Sequence, residues 1–477
     1  MLFNSFNFGL FLPVVLLLYW SIGFSRRKYQ NLLLLAASYF FYGLWDWRFL
    51  SLIFASSIID YFVGIWLEST TDSRKRKGLL WISVIWNLGV LFVFKYYNFF
   101  VAEFADLFNL SQENFAFSSL QLILPVGLSF YTFQTLSYSI DVYRGTIKAT
   151  RNSLNFLCFV SFFPQLVAGP IERAKNLLPQ FSKDRKFDLE QFKDGMRQVL
   201  WGLFKKIVIA DNAAVAVNAI YGNVDDHGSL TLLYATAMFF FQIYCDFSGY
   251  SDIAIGTAKM FGFRLSTNFN IPYLARSVAE FWQRWHITLT KWFTDYVYGP
   301  IASKNRNSAL LRAFAMFITM GLIGLWHGAN WTFIVFGLFQ AIMITIERLP
   351  IKVKNSTVNL NYYLVRMPLL FAVFYSFTLI LTSCVFFRAE SMTMAWSILE
   401  RIVTLVPSDN FSLEIGNRVW FVILLVAIEF FTRTKKHPFV GVFTKFKRPL
   451  RWALYYLFIF FIFRYAGPKE EFIYFQF

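Results

Sequence analysis

Residues 364–387 read LVRMPLLFAVFYSFTLILTSCVFF, 24 positions with one charge, Arg366, and no acidic residue. About 20 apolar residues of helix cross the hydrocarbon core of a bilayer, whereas a helix of a soluble protein keeps a polar face toward water. Working outward, similar apolar blocks recur at Leu10 to Tyr19, Leu79 to Val93, Tyr234 to Ile243 and Val419 to Phe431. The whole chain follows the same pattern. Of 477 residues, 57% are hydrophobic and 15% charged, against roughly 45–50% and about 25% in soluble domains. A soluble fold would need polar cover that this chain lacks. The pattern predicts an all-α polytopic membrane protein with about 11–13 transmembrane or re-entrant helices.

Forty-five Lys and Arg against 28 Asp and Glu give a formal charge of +17. In a soluble protein that excess would point to nucleic acid. Here the basic residues fall between the apolar blocks, at Arg26-Arg27-Lys28, Arg74 to Lys77, Lys183 to Lys186, Lys205-Lys206, Lys304 to Arg312, and Arg433 to Arg451. Short basic loops stay on the cytoplasmic side and favour anionic lipid headgroups, so membrane lipids are the expected partner and nucleic acid is not. Glu103 to Ser118 and the Asp225-Asp226 loop have no basic residue and are expected outside. Met1 to Asn7 is uncharged and the first basic cluster follows the first apolar stretch, which reads as a retained helix running inward rather than a signal peptide. Cys158, Cys245 and Cys384 lie in apolar stretches at unrelated spacings, and neither a disulfide framework nor a metal site is expected from them.

Between Leu120 and Pro300 the apolar pattern is interrupted by Pro125, Gly127, Pro164, Gly169-Pro170, Gly249 and Pro272, and contains Gln134, Asp141, Gln165, Asp246 and Asp252. Broken, polar backbone at membrane depth is tolerated only where protein or a wet cavity covers it, so re-entrant segments around a central tunnel are expected here. Glu172 to Lys193, rich in both charge signs, reads as an amphipathic helix on the cytoplasmic interface.

Two of four histidines sit in similar settings 41 positions apart: Trp285-His286 in FWQRWHITLTKWFTDYVYGP and Trp326-His327 in GLIGLWHGANW. Imidazole is the side chain best suited to take and return a proton near neutral pH. Placed on one helix, Trp282, His286, Leu289, Phe293 and Tyr296 share a face, and Arg284, Thr288, Lys291 and Asp295 another. Gly328, after His327, leaves room for close approach. Bland readings stand beside these. Each histidine can simply bond a backbone carbonyl at a helix end, Asp246 and Asp252 can cap a helix-breaking turn, and Arg284 and Lys291 can form a solvated face instead of a phosphate clamp. Two distant histidines without a third ligand are a poor metal site. There is no phosphate-binding glycine loop, GxSxG or HExxH motif, which removes the usual support for ATPase, serine-hydrolase and zinc-protease readings.

The segments ILPVGLSFYTFQTLSYSIDVYRG (123–145), FFPQLVAGPIER (162–173), QIYCDFSGYSDIAIG (242–256), FWQRWHITLTKWFTDYVYGPI (281–301), GLWHGANW (324–331), VFFRAESM (385–392) and the closing FIYFQF resemble the signature blocks of the membrane-bound O-acyltransferases. More narrowly, they resemble the bacterial branch that includes the alginate O-acetyltransferase membrane subunit. The blocks cover nearly the whole chain, with one departure: Ala302 to Arg306 stands where the family usually has Gly-Gly-Asn-Arg. The resemblance implies one integral-membrane domain over 1–477, with N-terminal helices in 1–118, the family core and its tunnel in 119–400, and C-terminal helices in 401–477. It makes His327 the catalytic residue and places His286 near it, with Trp285, Trp326, Asp246, Asp252, Arg284 and Lys291 as supporting or substrate-path positions. It also implies acetyl transfer from a cytoplasmic thioester such as acetyl-CoA, with no tightly bound cofactor. The acceptor is an extracytoplasmic polysaccharide, alginate-like or another cell-surface glycan. An SGNH-type acyltransferase partner and a bacterial plasma (inner) membrane location are implied too. Two other readings remain: D-alanyl transfer to teichoic acid, which neighbouring genes for a carrier-protein ligase would favour, and a glycan transporter or flippase, for which inverted repeats are missing.

Topology is testable on the charge pattern alone. With single cysteines introduced in intact cells, Lys75→Cys, Lys186→Cys and Lys436→Cys are expected to resist a membrane-impermeant thiol reagent, while Glu113→Cys and Asp226→Cys react. Labelling at position 75 from outside would reverse the orientation.

Overall fold

The computed structural model describes residues 1–23, 26–108, 122–167, 169–305, 307–353, 356–407, 419–440, 446–467, 470 and 472–473. The acidic loop expected outside around Glu113 and most of the closing FIYFQF lie outside these residues. The described chain is helical apart from turns and one antiparallel hairpin, Pro350–Val353 with Ser356–Asn359. Among the described residues, six helical stretches are long and apolar enough to cross a membrane: Arg27–Ser69, Ser73–Leu107, Ser229–Met260, Ala309–His327, Trp331–Arg348 and Leu369–Arg388. Shorter apolar helices cover Phe6–Ser21, Ser153–Leu166 and Val419–Thr432. Large side chains such as Leu17, Leu370, Phe374 and Phe463 are 73–81% exposed, while Asp60, His286, Gln340 and Glu347 are 0% exposed. Apolar outside and polar inside is the distribution that a lipid solvent selects.

The chain forms two compact units. The first comprises Met1–Met196 and Ala254–Ser266. Its 43-residue stretch Arg27–Ser69 folds back as two helices, because Asp46 turns extended and its carboxylate takes the Arg48 backbone N–H at 3.0 Å. Asp72 starts the next helix by accepting from the Arg74 and Lys75 N–H groups at 2.7 and 3.2 Å. Asp60, on Leu50–Ser69, is the polar knot of this unit. It accepts from Asn87 Nδ2 at 2.7 Å, Ser139 Oγ at 2.5 Å and Ser83 Oγ. It thereby joins Leu50–Ser69 to Ser73–Leu91 and Leu128–Tyr143.

The Glu172 to Lys193 stretch is not the single amphipathic helix expected. Helix Ala174–Phe181 ends at Ser182, and a new one starts at Leu189. There, Asp188 Oδ1 accepts the Glu190 and Gln191 N–H groups at 2.9 and 3.1 Å. Side-chain competition for these amides restarts the helix.

The second unit comprises Arg197–Ile253 and Thr267–Phe477, and holds both motif histidines. Two expectations fail in it. Asp246 and Asp252 do not sit in a helix-breaking turn, since Ser229–Met260 is one continuous helix. Lys205 and Lys206 are not a cytoplasmic basic loop. They are 3% and 1% exposed within the π-helical stretch Phe204–Ala210, and each pairs with one of those aspartates. Carboxylates paired with lysines do not compete for the amides of their own helix, so the helix runs through them.

The Asp60 knot generates a stability test. Asp60→Ala strands three buried donors, at about 1–3 kcal/mol for each one left unsatisfied. The detergent-solubilised protein should melt clearly below wild type, and Asp60→Asn, which keeps an acceptor oxygen, should lose less. Equal melting of all three proteins would mean that the knot contributes nothing.

Candidate active site

The site depends on how three helices of the second unit meet. Ala309–His327 and Trp331–Arg348 cross where glycine replaces a side chain on both. A Cβ on Gly324 would lie 2.2 Å from Phe333 O, one on Gly337 2.2 Å from Met320 O. Their backbones are therefore in contact, and His327 ends its helix against this crossing. Asn330 restarts the chain by accepting the Thr332 N–H at 3.0 Å. The room left by Gly328 is filled by the Phe333 ring, 2.2 Å from where a Cβ would sit. Buried His327 packs against Trp326, Phe387 and Phe336 with ring centroids at 5.0, 5.0 and 5.9 Å.

Trp331–Arg348 also carries the other histidine's support. Glu347 Oε1 and Oε2 accept the Val278 and Ala279 N–H groups at 2.7 and 2.9 Å, and Ser277 Oγ accepts that of Glu280 at 3.1 Å. All three leading amides of helix Val278–Arg284 are thus satisfied. About two turns below Glu347, Gln340 Oε1 accepts from Trp282 Nε1 at 3.0 Å.

The RWH segment is not one helix, which corrects the shared-face reading of 281–300. Val278–Arg284 stops at an extended Trp285, His286 adopts a left-handed conformation at φ +38°, and Ile287–Phe293 starts anew. The cause is a neighbouring strand-like segment. Asn270 N–H donates to Arg284 O and Ile287 N–H to Asn268 O, both at 2.9 Å, so the helical bonds through the break are replaced by lateral ones. His286 is 0% exposed. Its Nδ1 lies 3.0 Å from Asn268 Oδ1, and its ring meets Phe247 at 4.6 Å and Trp326 at 5.6 Å. Trp326 is thereby shared by both histidines.

The remaining expected positions fall into two groups. Trp285 stays close, packed on Phe269 and Phe281 at 5.2 and 5.5 Å. Asp246, Asp252, Arg284 and Lys291 are engaged or directed elsewhere. Asp252 pairs with Lys205 at 2.6 Å and accepts from Gln198 at 2.6 Å. Asp246 pairs with Lys206 at 2.8 Å and accepts from the Ile473 N–H at 2.7 Å. Lys206 also meets Asp211 at 2.8 Å and donates to Glu470 O at 3.2 Å. Arg284 closes an i,i+4 pair with Glu280 at 2.6 Å, and Lys291 is exposed.

Beside His327 opens a cavity of about 540 Å³, lined by its neighbours Gly328, Phe333 and Phe387 together with polar Asn218, Gln242, Asn330, Arg388 and Glu390, and by Glu470 and Ile473. Phe387 also lines a narrow apolar fissure with Phe240, Trp285, Phe336, Ile380 and Cys384. The buried Lys206–Asp246 pair therefore holds a piece of cavity wall, at Glu470 and Ile473. Sequence reading missed Asn268, Gln340, Glu347 and Arg388. Gln340 was visible as an uncharged polar group inside an apolar span; the others acquire meaning only from their partners.

Two buried histidines thus meet one tryptophan, and His327 adjoins residues that line a polar cavity, within a helical shell whose outer side chains are apolar. The profile of the membrane-bound O-acyltransferase family matches residues 147–391, and the chain belongs to that family and is an O-acyltransferase. Two relatives named "Probable alginate O-acetylase" come from Azotobacter vinelandii, 40% identical over 398 residues covering 82% of this chain and 76% of the relative, and Pseudomonas aeruginosa, 40% over 402 residues covering 83% and 73%. The peptidoglycan O-acetyltransferase of Helicobacter pylori is 33% identical over 436 residues, 85% of this chain and 80% of that protein.

Glu347 gives a test of the scaffold. Glu347→Ala leaves two helix-leading amides buried without acceptors, at about 1–3 kcal/mol each. Melting should fall, and acyl transfer should fall further than the folded fraction does, because the helix ahead of His286 is no longer held. Activity that merely tracks folded protein would confine Glu347 to stability.

Proposed function

We propose that the chain moves an acetyl group from a cytoplasmic thioester, acetyl-CoA, to a hydroxyl group of an extracytoplasmic polysaccharide, with His327 as general base. The buried position of His327 between aromatic rings and beside the polar cavity carries the reading. The names of the relatives supply the acetyl group and the glycan, alginate-like or another envelope polymer.

The orientation follows from charge. With the basic residues of 304–312 in the cytoplasm, the 19-residue helix Ala309–His327 spans about 28 Å and carries His327 toward the outer side. The cavity lined by Asn330, Arg388 and Glu390 then faces the acceptor. The apolar fissure runs the other way along Leu369–Arg388, from Phe387 to Ile380, and is assigned to the donor side.

In the transfer, an imidazole nitrogen of His327 removes the proton of the acceptor hydroxyl as its oxygen attacks the thioester carbonyl. The C–S bond breaks, and the departing thiolate takes up the proton, so ester and free thiol are the products. His286, whose ring also meets Trp326, orients the acceptor or shares the proton. Among the buried cysteines, Cys245 and Cys158 line neither cavity, and no acyl-cysteine step is invoked. A bacterial plasma membrane location and an SGNH-type partner that passes acetyl on to the polymer complete the proposal.

His327→Ala and His327→Gln should keep expression, membrane insertion and melting near wild type while glycan acetylation drops by about 10²–10⁴-fold. His286→Ala should retain a small residual activity, since water partly replaces an orienting group. Cys158→Ala, Cys245→Ala and Cys384→Ala should stay active. Substantial acetylation by folded His327→Ala protein would remove its catalytic assignment.

A further inference from the structure

We infer that Asn268 is the positioning residue that locks His286 in the tautomer protonated on Nδ1, so that His286 serves the transfer through a lone pair on Nε2. This rests on the proposed role of His286 as an orienting, proton-sharing group, and makes that role specific.

The argument starts from an unambiguous donor. The backbone N–H of Thr288 can only donate, and it points at Asn268 Oδ1 from 3.3 Å. The atom receiving it is therefore the amide oxygen, which settles the amide orientation. The opposite end agrees, since Asn268 Nδ2 lies 3.2 Å from Ser251 Oγ on Ser229–Met260. The Thr288 hydroxyl donates to the same oxygen at 2.8 Å. Because Oδ1 only accepts, the ring nitrogen 3.0 Å from it must carry the proton. A neutral imidazole has one N–H, so a protonated Nδ1 leaves Nε2 as the acceptor. Neutrality is favoured by the surroundings: the rings of Phe247, Phe269 and Trp326 and the Asn268 amide are uncharged, and a buried cation is costly among them.

Asn268 also holds the backbone that aims the ring. Its carbonyl accepts the Ile287 N–H at 2.9 Å and its side chain the Thr288 N–H, so it caps helix Ile287–Phe293 from outside the helix. The left-handed His286, a conformation costly for a non-glycine residue, is sustained by these bonds. The titratable groups on the packed elements have partners of their own. Asp246 and Asp252 pair with Lys206 and Lys205, and Glu280 with Arg284. His327 packs on the same Trp326, and Lys291 is exposed.

The tautomer can be read without any catalysis. In ¹⁵N-histidine-labelled protein in nanodiscs, the four histidines are separated by comparison with His286→Gln. At neutral pH, His286 is expected to show a protonated Nδ1 and an unprotonated Nε2. A protonated Nε2 overturns the proposal, whether or not the chain transfers acetyl. The kinetic arm uses Asn268→Asp, which sets a carboxylate against Nδ1 and favours the imidazolium form. The acidic limb of the transfer rate against pH should move up by about 1–3 on the pH scale, with the high-pH rate approaching wild type. An unmoved limb in folded Asn268→Asp protein also overturns the proposal. If that variant does not fold, the labelling of wild-type protein decides. A wild-type chain that acetylates nothing would refute the proposed function and leave the tautomer to be judged by resonance alone.

Discussion

The backbone contact between Gly324 and Gly337 is the constraint on which the second unit depends. Lipid tails are as apolar as leucine, so helices in a bilayer gain little from hiding apolar surface and associate by close packing. A pair of glycines lets Ala309–His327 and Trp331–Arg348 approach until carbonyl and Cα meet, and that distance places His327. The same second helix extends Gln340 and Glu347 to the segment that delivers His286. One helix thus sets the positions of two histidines that lie 41 residues apart in the chain, each in ring contact with Trp326.

Buried charge is handled by pairing. Lys205 and Lys206 would each be costly at low exposure, and each is met by an aspartate from Ser229–Met260. Such pairs contribute little net stability against an apolar replacement, but losing one partner leaves an uncompensated charge. Their value lies in specificity of placement. Lys206 and Asp246 have bonding capacity left over, and they spend it on the backbone at Glu470 and Ile473, which line the cavity. A buried charged pair therefore helps to shape the wall of the cavity.

The proposed transfer would require a thioester to meet a hydroxyl group rather than water. Aromatic rings pack closely around both histidines, as such a reaction would need. Arg388 and Glu390 stand at the cavity, where a polar acceptor could be held without bringing charge onto the histidines themselves.

Sequence alone determined the class and the chemical candidates. A deficit of charge and long apolar runs can only be satisfied in lipid, and two Trp-His pairs in blocks resembling an acyltransferase family marked the site. It could not determine what each polar residue faces. Periodicity treats a helix as continuous, so it missed the break at His286, which arises because Asn268 and Asn270, 18 and 16 positions earlier, capture the backbone bonds. Lys205-Lys206 looked like a loop because basic pairs usually are one, and became a buried pair only when a second helix supplied Asp246 and Asp252. Glu347 reads as a helix-end charge until the amides of Val278 and Ala279 are placed on it. Composition and pattern report what a segment requires of its surroundings; which partner meets the requirement is decided by packing between segments remote in sequence.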